Sequence, residues 1–171
     1  MQPDSAETVW RGRLLAVTVE RWGRNEREIV EHPGAVAIVS VDSEGEVAFV
    51  RQLREATRSH LLELPAGTRE AGEEPLATAK RELVEECGYE AAQWWKITTL
   101  DPSIGYSTEV IHLYGARGLK HVGHKLDEGE HLETFQAKIS DALEWIRDGM
   151  ITDTKTTFGL LWWDRFGRFP D

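Results

Sequence analysis

The sequence has one cysteine, no long apolar run and too few basic residues to balance its acidic ones. Cys87 alone excludes an internal disulfide and a zinc site of four thiolates. No segment approaches the run of about 18 apolar residues that crosses a membrane. The first ten residues also lack the basic start and apolar stretch of a secretory signal. We therefore expect a cytoplasmic protein with no membrane partner.

The charge balance limits the class of partner. Lysine and arginine total 20 residues against 30 aspartates and glutamates, which gives a formal net charge of −10. Duplex nucleic acid requires a basic face, so we expect no nucleic-acid partner. An acidic chain that handles phosphates would need cations to do so. The 171 residues are enough for one domain with a substantial core.

Alternation and turn residues predict a boundary near His32-Pro33-Gly34. Before it, residues 15–19 alternate and residues 28–31 form a second strand candidate, so residues 1–32 are expected to form a small antiparallel sheet. Residues 33–171 are expected to form the main domain. It begins with two apolar runs, 35–39 and 47–50, joined by a hairpin sequence. Further strands are expected at residues 94–99, 110–116 and 135–139.

Three helices complete the expected fold. Residues 75–87 have helical apolar periodicity, with Pro75 suited to the first position and Gly88 to the stop. A second helix is expected from about Asp141 to Asp148, with Ser140 or Asp141 as its cap. A third follows Asp153, with one apolar face made of Phe158, Leu161, Trp162 and Phe166. The fold class is therefore α/β, a mixed sheet sandwiched between helices.

Glutamates crowd one side of the 75–87 helix. Because helical residues turn by about 100° each, Glu82, Glu85 and Glu86 fall within an arc of about 100°. Like charges three and four residues apart repel, and Arg81 relieves only part of this by pairing with Glu85. Mg²⁺ or Mn²⁺ would relieve more, since both prefer carboxylate, water and phosphate oxygens. On the carboxylates alone, a solvated acidic face stays open as the alternative.

The residues around this helix bear on that choice. They read Gly67, five residues, Glu73, seven residues, then Arg81-Glu82-Leu83-Val84-Glu85-Glu86-Cys87-Gly88-Tyr89. The pattern resembles the signature box of the Nudix hydrolase family at its fixed positions, with Tyr89 where an aliphatic residue is usual. The resemblance implies a loop–helix–loop that binds divalent metal and hydrolyses a nucleoside diphosphate linked to another group.

The resemblance also implies roles for individual residues. Four metal ligands are implied: the carboxylates of Glu82, Glu85 and Glu86 and the main-chain carbonyl of Ala66. Gly67 would permit a close backbone approach, Glu73 would brace the loop, and Arg81 would orient the carboxylates. Glu85 and Arg81 are thereby part of the implied catalytic group.

A second implied group is an acidic loop at residues 126–133. In the resembled branch this loop closes over the metals and contributes a glutamate that positions or deprotonates the attacking water. Glu130 is the first candidate and Glu128 the second, and both stay open. A base on a loop can arrive after the substrate binds and exclude bulk water.

Three further segments, residues 51–54, 62–67 and 101–109, resemble the branch that cleaves ADP-ribose and other nucleoside diphosphate sugars. The products would be a nucleoside monophosphate and a sugar phosphate, and the partner a nucleotide sugar. A homodimer with exchanged N-terminal strands is also implied. Arginine suits a diphosphate, which it binds bidentately. The candidate substrate-binding residues are Arg27, Glu28, Arg51, Arg54, Gly67, Ser107 and Glu109.

Two other functions stay open. Tyr106 lies near the position where dinucleoside polyphosphate hydrolases carry a tyrosine. A nucleotide-sugar-sensing module of the same fold is the second alternative. Such a module normally loses catalytic carboxylates and gains a DNA-binding part, and the sequence shows neither change.

Other reactive residues are assigned no catalytic role. Cys87 lies on the apolar side of its helix, near a C-terminus that disfavours a thiolate, so we expect it in the core. His121, His124 and His131 share a polar segment without a thiolate, and we expect exposed histidines there rather than a zinc site.

Overall fold

The computed structural model describes residues 1–124 and 132–167, which form ten strands and three helices. A small sheet contains β1 (Ser5–Arg11), β2 (Ala16–Trp22) and β3 (Asn25–Glu31), all antiparallel and in that spatial order. The predicted N-terminal antiparallel sheet is therefore present. The sequence analysis does not predict β1, because every side chain of this strand is exposed and its sequence carries no burial pattern.

The second sheet is mixed, as predicted. Its central order is β10-β5-β4-β9-β8, with β6 paired to β5 and β7 paired to β4. The β4–β9 pair is parallel and the other pairs are antiparallel. Its strands are β4 (Ala35–Val41), β5 (Glu46–Arg54), β6 (Ser59–Glu63), β7 (Ala66–Thr68), β8 (Tyr89–Leu100), β9 (Ile111–His121) and β10 (Leu132–Lys138).

Helices cover both faces of this sheet. The helices are α1 (Pro75–Cys87), α2 (Ile139–Arg147) and α3 (Thr154–Phe166). Because successive strand residues point to opposite faces, Val36 and Ile38 of β4 join α1 in one core cluster, while Val39 joins α2 and α3 in the other. This arrangement confirms the predicted sandwich. None of the helices in the described ranges combines the length and apolar character needed to cross a membrane.

The boundaries of α1 are those that the sequence predicts. Pro75 occupies the first turn, and Gly88 ends the helix in the left-handed conformation with φ of 70°. The N–H of Gly88 reaches the carbonyl oxygens of Leu83 and Val84, which closes the last turn. The apolar side is buried from Ala79 onwards, so the opposite side is free to carry charge.

The predicted hairpin is present, but its two strands separate early. Asp42 accepts hydrogen bonds from the N–H groups of Glu44 and Glu46 in the turn. Only Val41 and Val47 then pair, because β7 occupies the remaining edge of β4. This opening in the sheet brings β7 beside α1.

The start of α2 differs from the prediction. The helix begins at Ile139, with Lys138 as its N-cap residue, so neither Ser140 nor Asp141 is the cap. β10 leads directly into the helix, and Ile139 packs against the core from the first helical position. Asp141 instead lies in the first turn, where its charge favours the helix dipole.

Asp153 caps α3 as predicted, but the predicted apolar face of this helix is wrong. The buried residues are Thr156, Gly159 and Leu160, whereas Leu161 is 49% exposed. Gly159 explains the difference, since a Cβ there would lie 2.7 Å from Cδ1 of Leu64. The helix approaches the sheet along its glycine side. Phe158, Leu161 and Phe166, which are predicted to face the core, are therefore exposed.

Two neighbouring leucines test this orientation of α3. Replacing Leu160, which is fully buried, by alanine should lower the free energy of unfolding by about 2–5 kcal/mol. The same replacement at Leu161 should cost less than about 1 kcal/mol, because its side chain keeps contact with solvent. Denaturant unfolding of both variants measures the difference. Equal losses would contradict the orientation.

Candidate functional site

The glutamates of α1 are less exposed than a solvated helix face would be. Glu82 and Glu86 are only 9% and 5% exposed, because the helix is held against the sheet by Leu83 and Cys87. Buried carboxylates require hydrogen bonds or opposite charges to remain ionised. The neighbouring residues provide both.

Arg81 contacts three members of an acidic cluster made of Glu73, Glu82, Glu85 and Glu86. Its Nη1 atom donates to Glu82 Oε1 at 2.7 Å and to Glu85 Oε2 at 2.8 Å. Its Nε and Nη2 atoms donate to the two carboxylate oxygens of Glu73 at 3.1 and 3.0 Å. The hydrogen bond to Glu73, followed by those to Glu85 and Glu82, outweighs burial and raises the pKa of Arg81. One guanidinium therefore contacts three carboxylates, where the sequence analysis foresees a pair with Glu85.

Glu73 joins the loop before α1 to the helix. Besides Arg81, its Oε2 accepts hydrogen bonds from the N–H of Glu70 at 3.2 Å and the hydroxyl of Thr78 at 2.8 Å. The bonds from Arg81, acting against desolvation, and the bond from Thr78 lower the pKa of Glu73 to about 2. These contacts have the geometry expected of a residue that braces the loop.

β7 brings main-chain atoms to the same place. The N–H of Ala66 donates to Glu86 Oε2 at 2.9 Å, which fixes one carboxylate oxygen. A Cβ at position 67 would overlap the carboxylate of Glu82, so the close approach of strand and helix requires glycine. Gly67 is thus needed for space rather than for an unusual φ. The structure brings together Ala66, Gly67, Arg81, Glu82, Glu85 and Glu86, and their functional roles stay predictions.

The predicted arginines of β5 have different surroundings. Arg54 forms two hydrogen bonds of 2.7 Å with Glu63, and the charge of Glu86 acts on it. Arg51 is exposed and pairs with Glu133 of β10 at 3.1 Å. Arg54 therefore pairs with a buried carboxylate, whereas Arg51 pairs with an exposed one. Glu63 is not among the residues predicted for the site, although a charged residue inside the apolar run 61–65 is a signal of a special role.

The remaining predicted substrate residues lie on a second scaffold. Arg27 and Glu28 are exposed on β3. The loop with Ser107 and Glu109 runs beside this strand, because the N–H of Val30 donates to the Tyr106 carbonyl at 2.7 Å. A bridge between Val30 and Ser107 continues the pairing. The structure thus joins the segments that carry these four residues through the pairing of β3 with the loop.

Cys87 and two histidines lie near the end of α1. Cys87 is buried, and desolvation followed by the charge of Glu86 raises the pKa of its thiol, which confirms a core residue. His121 and His124 are exposed, and His124 Nδ1 lies 3.0 Å from the Glu86 carbonyl oxygen. His131, Glu128 and Glu130 lie outside the described residues, so the assignment of a glutamate to the attacking water stays a prediction.

The fold is an α/β sandwich, and one of its helices carries three glutamates and an arginine beside Gly67 of β7. This arrangement is an acidic site built from a loop and the helix that follows it. A model of the NUDIX domain matches residues 31–150. The chain belongs to the Nudix family.

The chain is similar in sequence to other proteins over most of its length. It is 37% identical to an ADP-ribose pyrophosphatase of Bacillus subtilis over 90% of this chain and 87% of that protein. Identity to a methanol dehydrogenase activator of Bacillus methanolicus is also 37%, with the same two coverages. The structure of an ADP compounds hydrolase matches with a TM-score of 0.80 and 23% identity, covering 98% of this chain and 97% of that one. This last likeness shows the fold.

The low pKa of Glu73 predicts a pH-dependent loss of stability. Glu73→Gln should lower the free energy of unfolding by about 1–3 kcal/mol at neutral pH, because Arg81 loses a charged acceptor. A carboxylate whose pKa falls from 4.5 to about 2 on folding stabilises fully above pH 4.5. The difference from the unsubstituted protein should therefore shrink as pH falls from 4.5 towards 2.

Denaturant unfolding at pH 7, 5, 4 and 3 follows this difference. Glu70→Gln is the matched control, since Glu70 is an exposed acid in the same loop. A Glu73→Gln deficit that stays constant down to pH 3 would contradict the charge-based explanation.

Proposed function

We propose that this protein hydrolyses the pyrophosphate bond of nucleoside diphosphate sugars such as ADP-ribose. The products are a nucleoside monophosphate and a sugar phosphate. The main support is the 37% identity over 90% of the chain to an ADP-ribose pyrophosphatase. The site agrees with that chemistry, because Glu82, Glu85 and Glu86 carry carboxylate oxygens on one side of α1 beside Arg81 and Ala66.

A divalent cation, Mg²⁺ or Mn²⁺, fits the donor set. Glu82, Glu85, Glu86 and the Ala66 carbonyl offer hard oxygen ligands, and Gly67 lets the carboxylate of Glu82 lie against β7, where a Cβ would overlap it. Within residues 1–124 and 132–167, no group of three or more Asp, Glu, His or Cys side chains is arranged so that it could hold a metal ion. In this arrangement Arg81 Nη1 bonds to both Glu82 and Glu85. We infer that ion binding competes with these bonds.

The residues of the chain have distinct roles in the proposed reaction. When bound, the cation would offset phosphate charge and lower the pKa of a water molecule. Arg54 contributes positive charge and paired N–H donors for the diphosphate. Ala66 orients Glu86 through its N–H, and Arg81 restrains Glu82 and Glu85. In a chain with a net charge of −10, such local cations are needed to hold an anionic substrate.

A substrate panel tests this function. Purified protein with Mg²⁺ should release nucleoside monophosphate from ADP-ribose or GDP-mannose, and chelation should stop the reaction. Glu86→Gln should lower kcat on the order of 100-fold or more while the protein stays folded. Glu90→Gln, an exposed acid just beyond α1, should keep full activity. Normal turnover by Glu86→Gln would refute its role as a ligand.

Each other outcome of the panel favours a different function. Faster cleavage of diadenosine polyphosphates would favour a dinucleoside polyphosphate hydrolase. Binding of a nucleotide sugar without turnover would favour a sensor. Absence of both would favour an effect on another protein, as the name of the Bacillus methanolicus relative describes for that relative.

We further propose that residues 1–32 form a unit through which the chain dimerises. Every side chain of β1 is exposed, including Val9 and Trp10, and Leu14 follows in the next turn. Large apolar side chains that are exposed on one sheet and its next turn are candidates for a contact surface. A second copy of the chain is the proposed partner, and it would bring Arg27 and Glu28 to the neighbouring site.

Solution mass tests the dimer. Light scattering should give about twice the 19.4 kDa of one chain. Trp10→Glu should reduce the mass to that of one chain, because a charge would be buried at the contact. Arg24→Glu, in the exposed turn between β2 and β3, is the control variant and should stay dimeric. A monomer at all concentrations would contradict the proposal.

A further inference from the structure

A buried ion network lies beside the acidic cluster. Glu63 of β6 is only 1% exposed, and both of its carboxylate oxygens accept hydrogen bonds from Arg54 at 2.7 Å. Desolvation opposes its ionisation, but the bond from Arg54 and the charge of Lys155 outweigh it and lower the pKa of Glu63. Glu63 is therefore a buried anion held between two cations.

The second cation comes from the start of α3. Lys155 Nζ donates to Glu63 Oε2, and it also lies 3.0 Å from Asp153 Oδ2. Asp153 is fixed in turn by the N–H and hydroxyl of Thr156, at 3.0 and 2.6 Å. The Thr156 hydroxyl accepts a hydrogen bond from the N–H of Leu64 at 2.8 Å. The first turn of α3 thus holds both Glu63 and the residue after it.

Arg54 connects this network to the candidate site. Its side chain is 39% exposed, so the guanidinium retains access to solvent while Glu63 does not. Arg54 pairs with Glu63, which lies three residues before Ala66, and the N–H of Ala66 binds Glu86. The bond to Glu63 and the charges of Glu63 and Glu86 raise the pKa of Arg54. In the proposed function this guanidinium binds the diphosphate.

We propose that Lys155 is a positioning residue that, through the carboxylate of Glu63, holds Arg54 in place for the diphosphate of the substrate. This inference rests on the proposed function and adds a residue to its binding site. Lys155 touches neither substrate nor reacting atoms, since its amino group is occupied by Glu63 and Asp153.

The charge and the hydrogen bond of Lys155 explain how it affects Arg54 through Glu63. A carboxylate paired with Arg54 alone would cancel most of the guanidinium's attraction for phosphate. Lys155 takes part of the negative charge of Glu63, and it fixes the carboxylate oxygen to which Arg54 Nη2 binds. Lys155 also pairs with Asp153, so the two anions and two cations of the network are neutral as a whole. The fork of Arg54 then keeps one orientation, and Arg54 is the most exposed of the four side chains, which favours binding of a diphosphate anion there.

Substitution of Lys155 tests the proposal. Lys155→Met keeps the length of the side chain and removes its charge, and it should raise KM for ADP-ribose about three- to tenfold with kcat within about twofold. Lys155→Arg should restore most of the affinity. In a Glu63→Gln background, Lys155→Met should cause no further rise in KM, because the intermediary charge is already absent.

Two measurements separate positioning from simple stabilisation. Lys120→Met removes an equal charge at an exposed position of β9 and should leave KM unchanged. Calorimetric titration with ADP, a nucleoside diphosphate without a sugar leaving group, should show the same loss of affinity in Lys155→Met as the kinetics. A lower unfolding midpoint with unchanged KM and ADP affinity would overturn the proposal, as would an undiminished effect in Glu63→Gln.

Failure of the proposed function would look different. If the protein cleaves no nucleotide sugar but binds ADP, the titrations alone decide the role of Lys155. If it hydrolyses ADP-ribose and Lys155→Met behaves as the unsubstituted protein, only the inference about Lys155 fails. A protein that neither cleaves nucleotide sugars nor binds ADP would overturn both.

Discussion

The geometry of the site depends on the compensation of buried negative charge by Arg81. Three carboxylates meet this one guanidinium, and two of them belong to the same helix face, where their repulsion would otherwise oppose helix formation. The apolar side of α1 keeps these charges close to the sheet, out of reach of full hydration. Folding and the proposed cation binding therefore make the same demand, since both require acidic oxygens to converge on a positive group.

The backbone of residues 63–67 is the second constraint, and it is held from two sides. On the α1 side, Glu86 accepts the N–H of Ala66, and Gly67 allows Glu82 to approach. On the α3 side, Thr156 accepts the N–H of Leu64 while Lys155 holds Glu63. The segment can occupy this position because β4 and β5 separate after a single paired position. The early end of the hairpin thus makes room for the site.

Local sequence signals predict α1, the helix that carries the site. The features that they do not predict depend on contacts between residues distant in the sequence. The bounds of α1 follow from Pro75, Gly88 and the apolar period, all of which act within a few residues. The buried side of α3 depends instead on the fit of Gly159 against Leu64, and nothing in the local period encodes a partner so distant in sequence. The same applies to Lys155 and Glu63, whose contact joins α3 to β6. The exposed strand β1 lacks a pattern because pairing, rather than burial, defines it.

A site with this much negative charge must still attract an anion, and the distribution of cations shows how that is achieved. Arg81 is committed to three carboxylates and a carbonyl, so little of its charge is available to a diphosphate. Arg54 is paired too, but its carboxylate is shared with a second cation and its own side chain reaches solvent. Because Lys155 also pairs with Asp153, the network has two anions and two cations, and Arg54 is the member most exposed to solvent. The two arginines therefore differ in what they contact: Arg81 is committed to the acidic residues, and Arg54 is the one that we propose binds substrate.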